Sequence, residues 1–256
     1  MSIAPTPAEA FQRAANEGQR RLDQSMIELI ATGFIAGLTI IFGMVALGTV
    51  EALLTGASHG TRRIAGALAF APGVVFLVVG RAELFSENFF DPVATIVDRR
   101  NLGMIGLLFR LWSVTFLLNL LGGGFFAWIL SLEGALPDGA PAALTRAAEE
   151  IAGRGNLVFF VKAISGGALV TLLSFLLQAV NTVNSRIVMA YMVGFLLTIG
   201  PFDHVVVTSL HVLFGIFLDA RVAIWDLARC LLIVTAGNLV GGLGLVTLTH
   251  IAQAKG

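Results

Sequence analysis

IVMAYMVGFLLTIGPFDHVVVTSLHVLFGIFL, residues 187–218, is two apolar runs interrupted by Pro201, Phe202, Asp203 and His204. As one helix it is longer than a bilayer requires, since about 20 apolar residues span the hydrocarbon core. As two half-helices it sets an acid and an imidazole near mid-membrane. An ionisable group at that depth is expensive unless it faces a partner or a water-filled cavity, and broken backbone survives there only when buried in protein or lining a cavity. The break is therefore the first place to look for a permeation site.

The rest of the chain agrees with a membrane setting. Of 256 residues, 57% are hydrophobic and 12% charged, about half the charge of an ordinary soluble domain. The 29 glycines suit closely packed membrane helices. Formal net charge is zero, which points away from nucleic acid as a partner. Cys230 is the single cysteine, excluding an intrachain disulfide and a cysteine metal cluster. Neither a metal site nor a cofactor is expected. Residues 1–27 are polar and mixed in charge, unlike a cleavable signal peptide. Within them, 5–27 has the pattern of an amphipathic helix on the membrane face.

The fold class expected is an all-α polytopic membrane protein with six transmembrane helices. Apolar runs fall at 29–50, 64–80, 103–132, 157–181, 187–218 and 222–252, and a surface helix is expected in the 133–156 loop. Six spans put both termini on one side. With a cytoplasmic N-terminus the inner segments hold Arg13, Arg20, Arg21, Arg99, Arg100, Arg186 and Lys255. The outer loops hold Arg62, Arg63, Arg146, Arg154 and Arg221. That excess favours cytoplasmic termini.

The halves also echo each other, with repeats at about 28–132 and 157–252 inside a channel domain of 28–252. Arg110, Asn119, Gly122 and Gly123 recur as Arg229, Asn238, Gly241 and Gly242, a constant shift (229 against 110, 242 against 123). Glu83 in GRAELFSEN stands opposite Asp203 in GPFDHVVVT. Three spans per half require the second half to insert upside down. Such inverted repeats place a pathway at their interface, lined by an interrupted helix from each half. Here the second and fifth helices are broken, at Glu83–Asn88 and Pro201–His204.

At these residues the chain resembles the formate/nitrite transporter family over roughly 28–252. The matching pieces are Glu83-Leu84-Phe85-Ser86, Asn119-Leu120 with Gly122, Lys162, Phe202-Asp203-His204, and Gly237-Asn238 with Gly241-Gly242. The resemblance implies a homopentamer of aquaporin-like protomers in a bacterial cytoplasmic membrane, each protomer with its own pore. It implies that His204 is the central histidine between two apolar constrictions, one with Phe70 and Phe85, the other with Leu84 and Leu197. Ser86 would be the loop hydroxyl that helps His204 bind the anion. Against the family pattern, Thr208 stands where Asn is usual four residues after the histidine, and Gly167 where Asn is usual five after Lys162. Pro201 replaces Gly, Asp203 replaces Glu, and Glu87 is an added loop charge.

The expected function is passage of a small weak-acid anion such as formate or nitrite, with or without protons. A bare anion crossing apolar rings meets a desolvation barrier that the neutral acid largely avoids. A free histidine titrates near neutrality, so His204 could hydrogen-bond the anion or lend it a proton, directly or through water. Lys162 would raise the local anion concentration. Simpler readings stand beside these. His204 could be a structural histidine on a freed carbonyl, and Asp203 a cap on the second half-helix. Glu83 could be a cap or a partner for a freed backbone N–H, and Glu87 could pair with Arg81. Arg110 and Arg229 could snorkel, while Asn119 and Asn238 would hold the broken backbone. A rival function is an aquaporin-like channel for a neutral solute, but paired Asn-Pro-Ala motifs are absent. An enzyme lacks a recognisable nucleophile or metal helix.

Overall fold

The computed structural model describes residues 5–256, and all regular structure among them is helical. Residues 1–4 of the expected N-terminal segment lie outside the described residues. The order is α1 (Pro7–Leu22), α2 (Met26–Leu53), α3 (His59–Val79), a 3-10 turn (Phe85–Phe89), α4 (Asp91–Arg99), α5 (Ile105–Leu130), α6 (Ala140–Ala152), α7 (Asn156–Ala179), α8 (Val183–Ile199), α9 (Val205–Phe217), α10 (Ile224–Leu239) and α11 (Leu248–Lys255). A π-helical segment, Val240–Thr247, joins α10 to α11 in one rod. Five helical segments are long and apolar enough to cross a membrane: α2, α3, Leu102–Leu130, α7 and Ile224–Lys255. α8 and α9 are shorter apolar helices.

The amphipathic pattern at the N-terminus folds as α1, with one face exposed and the other packed on the protein. Thr6 and Glu9 form a reciprocal capping box, and Pro7 starts the helix. One face then buries Phe11 and Ala14 against Phe90 and Ala94 of the α4 region. Arg21 and Leu22 are buried as well. The 133–156 loop carries α6, which packs on α2 and α9. Large apolar side chains that remain exposed, among them Ile27, Leu53, Trp225 and Leu232, give the outer surface an oily character suited to lipid or a second protomer.

A shared set of contacts recurs in the two halves. Arg110 Nη2 donates to the carbonyls of Leu22 (2.7 Å) and Gln24 (2.9 Å). Arg229 donates to the carbonyls of Ala152 and Arg154. Thus both arginines bond the backbone just before α2 and α7 rather than simply snorkelling. Gly122 packs on the Phe34 carbonyl as Gly241 does on that of Ile164, where any Cβ would overlap the carbonyl oxygen. Gly37 and Gly167 lie against the backbones of Asn119 and Asn238 in the same way. First-half positions 22, 24, 34 and 37 thereby match 152, 154, 164 and 167 (152 against 22). These matched contacts reach back to the ends of α1 and α6.

Candidate functional site

Both breaks fall where polar groups interrupt an apolar stretch. α3 ends at Val79; Arg81 adopts a left-handed φ of 55°, and the chain runs extended to Leu84 before the 3-10 turn. α8 ends at Ile199, and residues 200–203 lead into α9. Asn119 spans the first break: its Nδ2 donates to the carbonyls of Gly33 and Glu83 (2.9 Å each), and its Oδ1 accepts from Phe85 N (2.9 Å). Asn238 spans the second, donating to the carbonyls of Ala163 (2.7 Å) and Asp203 (2.9 Å) and accepting from Val205 N (2.9 Å). A single amide therefore satisfies the backbone groups that a broken helix would leave orphaned.

The two breaks meet at Ser86 and His204. Ser86 Oγ is hydrogen-bonded to His204 Nε2, and neither residue has any exposure. His204 is itself the N-cap of α9, its Nδ1 accepting from Val207 N at 3.4 Å. Asp203 does not cap that helix. It turns to Arg154, whose Nη1 lies 2.5 Å from Asp203 Oδ1. The carboxylate is one residue too early in the chain to reach the first free amides of α9, and the imidazole takes that place.

One cavity of about 360 Å³ opens beside this pair on the α6 side. Its lining includes Lys162, Leu197, Phe202, Thr208 and His211. Five cationic side chains, Arg62, Arg63, Arg146, Arg154 and Lys162, face three carboxylates, Glu51, Glu150 and Asp203. A second cavity of about 60 Å³ lies on the α1 side, lined by Glu17, Arg20, Arg21, Arg81, Glu83, Glu87 and Arg186 among others. Neither lining contains Ser86 or His204.

The α1 side carries an ion-pair network that sequence reasoning missed. Buried Arg21 lies 3.2 Å from Glu87, 3.4 Å from Glu17, 3.5 Å from Glu83 and 3.6 Å from Asp91. Its Nη1 also donates to Asn88 Oδ1 at 2.8 Å. Burial works against the guanidinium's charge, but Glu83, Glu87 and Asp91 more than compensate and hold it protonated. Burial likewise raises the Glu17 carboxyl, yet the hydrogen bond from Arg20 and the charges of Arg21 and Arg20 leave it below its ordinary value. Glu83 is thus an ion-pair partner of Arg20 and Arg21 and not a cap; the freed N–H of Phe85 belongs to Asn119. Glu87 pairs with Arg21 and not with Arg81.

The residues expected at the constrictions are buried apolar groups. Phe70 is fully buried and stacks on His211, with centroids 6.4 Å apart. Phe85 packs edge-on against Phe89 and Phe116. Leu84 is buried at the start of the 3-10 turn, whereas Leu197 lines the larger cavity. Phe70, Leu84, Phe85 and Leu197 all belong to one buried apolar cluster, and Phe202 lines the α6-side mouth. His211 was without pattern on its own. Its signal was the spacing from His204 and Thr208 along one helix.

The chain is similar to known proteins along nearly its full length. It is 26% identical over 255 residues to the inner membrane protein YfdC of Escherichia coli (strain K12), covering 98% of this chain and 80% of that one. It is 29% identical over 133 residues to the formate channel FocA of Haemophilus influenzae, covering 52% of this chain and 46% of that one. A solved FNT family ion channel superposes with a TM-score of 0.82 at 17% identity, covering 95% of this chain and 98% of the other. A pentameric formate channel with formate bound gives 0.74 at 18% identity, covering 88% and 96%. The formate/nitrite transporter family matches residues 8–252, and with these helices and this paired break, the chain belongs to that family.

Proposed function

We propose that the protein is a transmembrane pathway for a small monovalent weak-acid anion such as formate or nitrite, passing Ser86 and His204. The observation that carries this reading is the buried Ser86–His204 contact between two cavities, the larger of which has an excess of cationic side chains. The field of those cations concentrates anions at the mouth. Arg154 pairs with Asp203 at the break, and the Lys162 carbonyl accepts from Asp203 N. At the centre the His204 ring offers a hydrogen-bond donor to whatever displaces Ser86, and the surrounding apolar groups favour the neutral acid over the bare ion. Thr208, one turn along α9, supplies a hydroxyl on the way.

In this reading α8 and α9 together make one broken crossing, so that the chain crosses six times as an inverted three-plus-three repeat. Asn119 and Asn238 are the equivalent braces of the two halves, supported by Glu83 and Asp203 through their arginine partners. In the same reading the termini face the cytoplasm of a bacterial inner membrane, and the protomers assemble as homopentamers; the inner membrane relative supports the membrane and the pentameric formate channel the assembly.

The test is proteoliposome uptake of formate, nitrite, acetate and lactate at several pH values, with wild type beside His204→Phe. Uptake that rises on acidification and is lowered by the substitution is the expected result. Intact folded protein that moves none of these solutes would overturn the reading.

A further inference from the structure

We propose that His211 is the group that hands a proton to the anion at the α6-side mouth of the pathway. The inference rests on the weak-acid reading above, and assigns the proton step to a residue other than the central histidine.

The two imidazoles are wired in opposite senses. His204 Nδ1 accepts a hydrogen bond from Val207 N, so it carries no hydrogen, and the ring's hydrogen sits on Nε2 beside Ser86 Oγ. Both nitrogens are occupied. To take a second proton, His204 must give up the cap of α9. His211 Nδ1 instead lies 3.0 Å from the Val207 carbonyl, which can only accept. That places the hydrogen on Nδ1 and leaves the lone pair of Nε2 free. Among the described residues Nε2 makes no hydrogen bond, and His211 lines the 360 Å³ cavity. Phe70 stacks on the ring and fixes its plane.

The position along α9 supports a sequence of handling. Residues 204, 208 and 211 fall within about 60° of arc at 3.6 residues per turn. The imidazole of His211, the hydroxyl of Thr208 and the imidazole of His204 thus form one polar stripe from cavity to centre. Neighbours one turn apart on such a face are roughly 5–6 Å apart at Cβ.

The charges around His211 say when it takes a proton. Glu51 comes from α2, and His59, Arg62 and Arg63 from the first turn of α3. Arg146 and Glu150 come from α6, with Arg154 just after it; Lys162 comes from α7, and Asp203 precedes α9. α5 and α10 bring no charged group to this lining. The cationic excess opposes a further positive charge until an anion enters. Proton uptake and anion entry are therefore coupled. Nε2 takes a proton relayed through cavity water from bulk hydronium, which is left as neutral water, and forms the imidazolium. The Nε2–H bond then breaks with its electron pair left on nitrogen, and an O–H bond forms on the anion. The neutral acid moves on toward Thr208 and His204.

The experiment is formate uptake into proteoliposomes between about pH 5 and pH 8, where an imidazole titrates, comparing wild type with His211→Asn and His211→Gln. Asn keeps an N–H for the Val207 carbonyl but cannot titrate. Both variants should elute as wild type and lose the rise on acidification, a drop on the order of a hundredfold in acid-side flux, the low end of what one positioned acid supplies. A wild type that carries no weak acid would defeat the weak-acid reading itself. A wild type whose flux rises on acidification, beside variants that keep the same rise, would defeat only the role of His211. The unmodified protein gives an independent measurement. Diethyl pyrocarbonate acylates a free imidazole nitrogen, and peptide mapping should find it on His211, protected by formate, and not on His204. Labelling of His204 with His211 spared overturns the proposal.

Discussion

Asn119 and Asn238 make the same three hydrogen bonds, each to a carbonyl of an earlier long helix (Gly33 on α2, Ala163 on α7) and to both sides of its own chain break. These two amides let backbone end and restart inside the protein. Replacing Asn119 by Ala orphans Phe85 N–H and the carbonyls of Gly33 and Glu83. Each buried unsatisfied group costs about 1–3 kcal/mol. Asn119→Ala and Asn238→Ala should therefore lower the thermal unfolding midpoint in detergent by similar amounts. Midpoints equal to wild type would show that the braces are dispensable.

Arg21 is the only buried cation within ion-pair distance of Glu83, Glu87 and Asp91 among the described residues. Removing one partner of a buried pair typically destabilises by about 3–5 kcal/mol, because the remaining charge is stranded. Arg21→Met should loosen α1 from α4 and expose Arg13 and Arg20 to trypsin. The added change Glu87→Gln should restore part of the resistance, since it removes one stranded charge. Cleavage at the wild-type rate in Arg21→Met would show that α1 is held by its apolar face alone.

How much of this was legible in the sequence follows from which interactions are local. Apolar runs and the Pro201–His204 interruption are local signals, and they marked the membrane-length helices and the second break. The shared spacing of Arg110 to Gly123 and Arg229 to Gly242 pointed to matching positions in the two halves. The partners of the two arginines were hidden, because Leu22 and Ala152 enter only as carbonyls, which no side-chain pattern records. The partners of Glu83, Glu87 and Asp203 were also hidden. Arg21 lies 66 residues from Glu87, and Arg154 lies 49 from Asp203. A cap one residue away is what the local sequence suggests, but long-range ion pairs took both acids. His211 was passed over because a lone histidine in an apolar run carries no pattern until the helix phase is fixed at His204.

Two departures from the family pattern separate on packing. Thr208 is buried against the larger cavity, with room on that side for a longer polar side chain. Gly167 has none: a Cβ there overlaps the backbone of Asn238. Thr208→Asn should therefore fold and keep weak-acid uptake. Gly167→Asn should push α7 from α10, disturb the Asn238 brace and give aggregated protein on size-exclusion chromatography. Monodisperse, active Gly167→Asn would mean that the close approach of these helices can relax.

Lys162 is half-buried at the cavity, and its own carbonyl accepts from Asp203 N at 3.0 Å, so its backbone supports the break while its side chain lines the cavity. The two functions can be separated by substitution. Lys162→Gln keeps the backbone contact and most of the stem but removes one of five cationic groups. If that charge concentrates anions, uptake should fall at low substrate concentration and converge toward wild type near saturation. The gap should also narrow as ionic strength rises from about 0.01 M to 1 M, since the screening length shortens from about 30 Å to 3 Å. A charge acting by direct contact inside the cavity is screened far less, and would leave the gap unchanged by salt. Salt-independent loss in Lys162→Gln would move Lys162 from a long-range attractor to a binding group, while equal uptake at every concentration would remove it from the pathway.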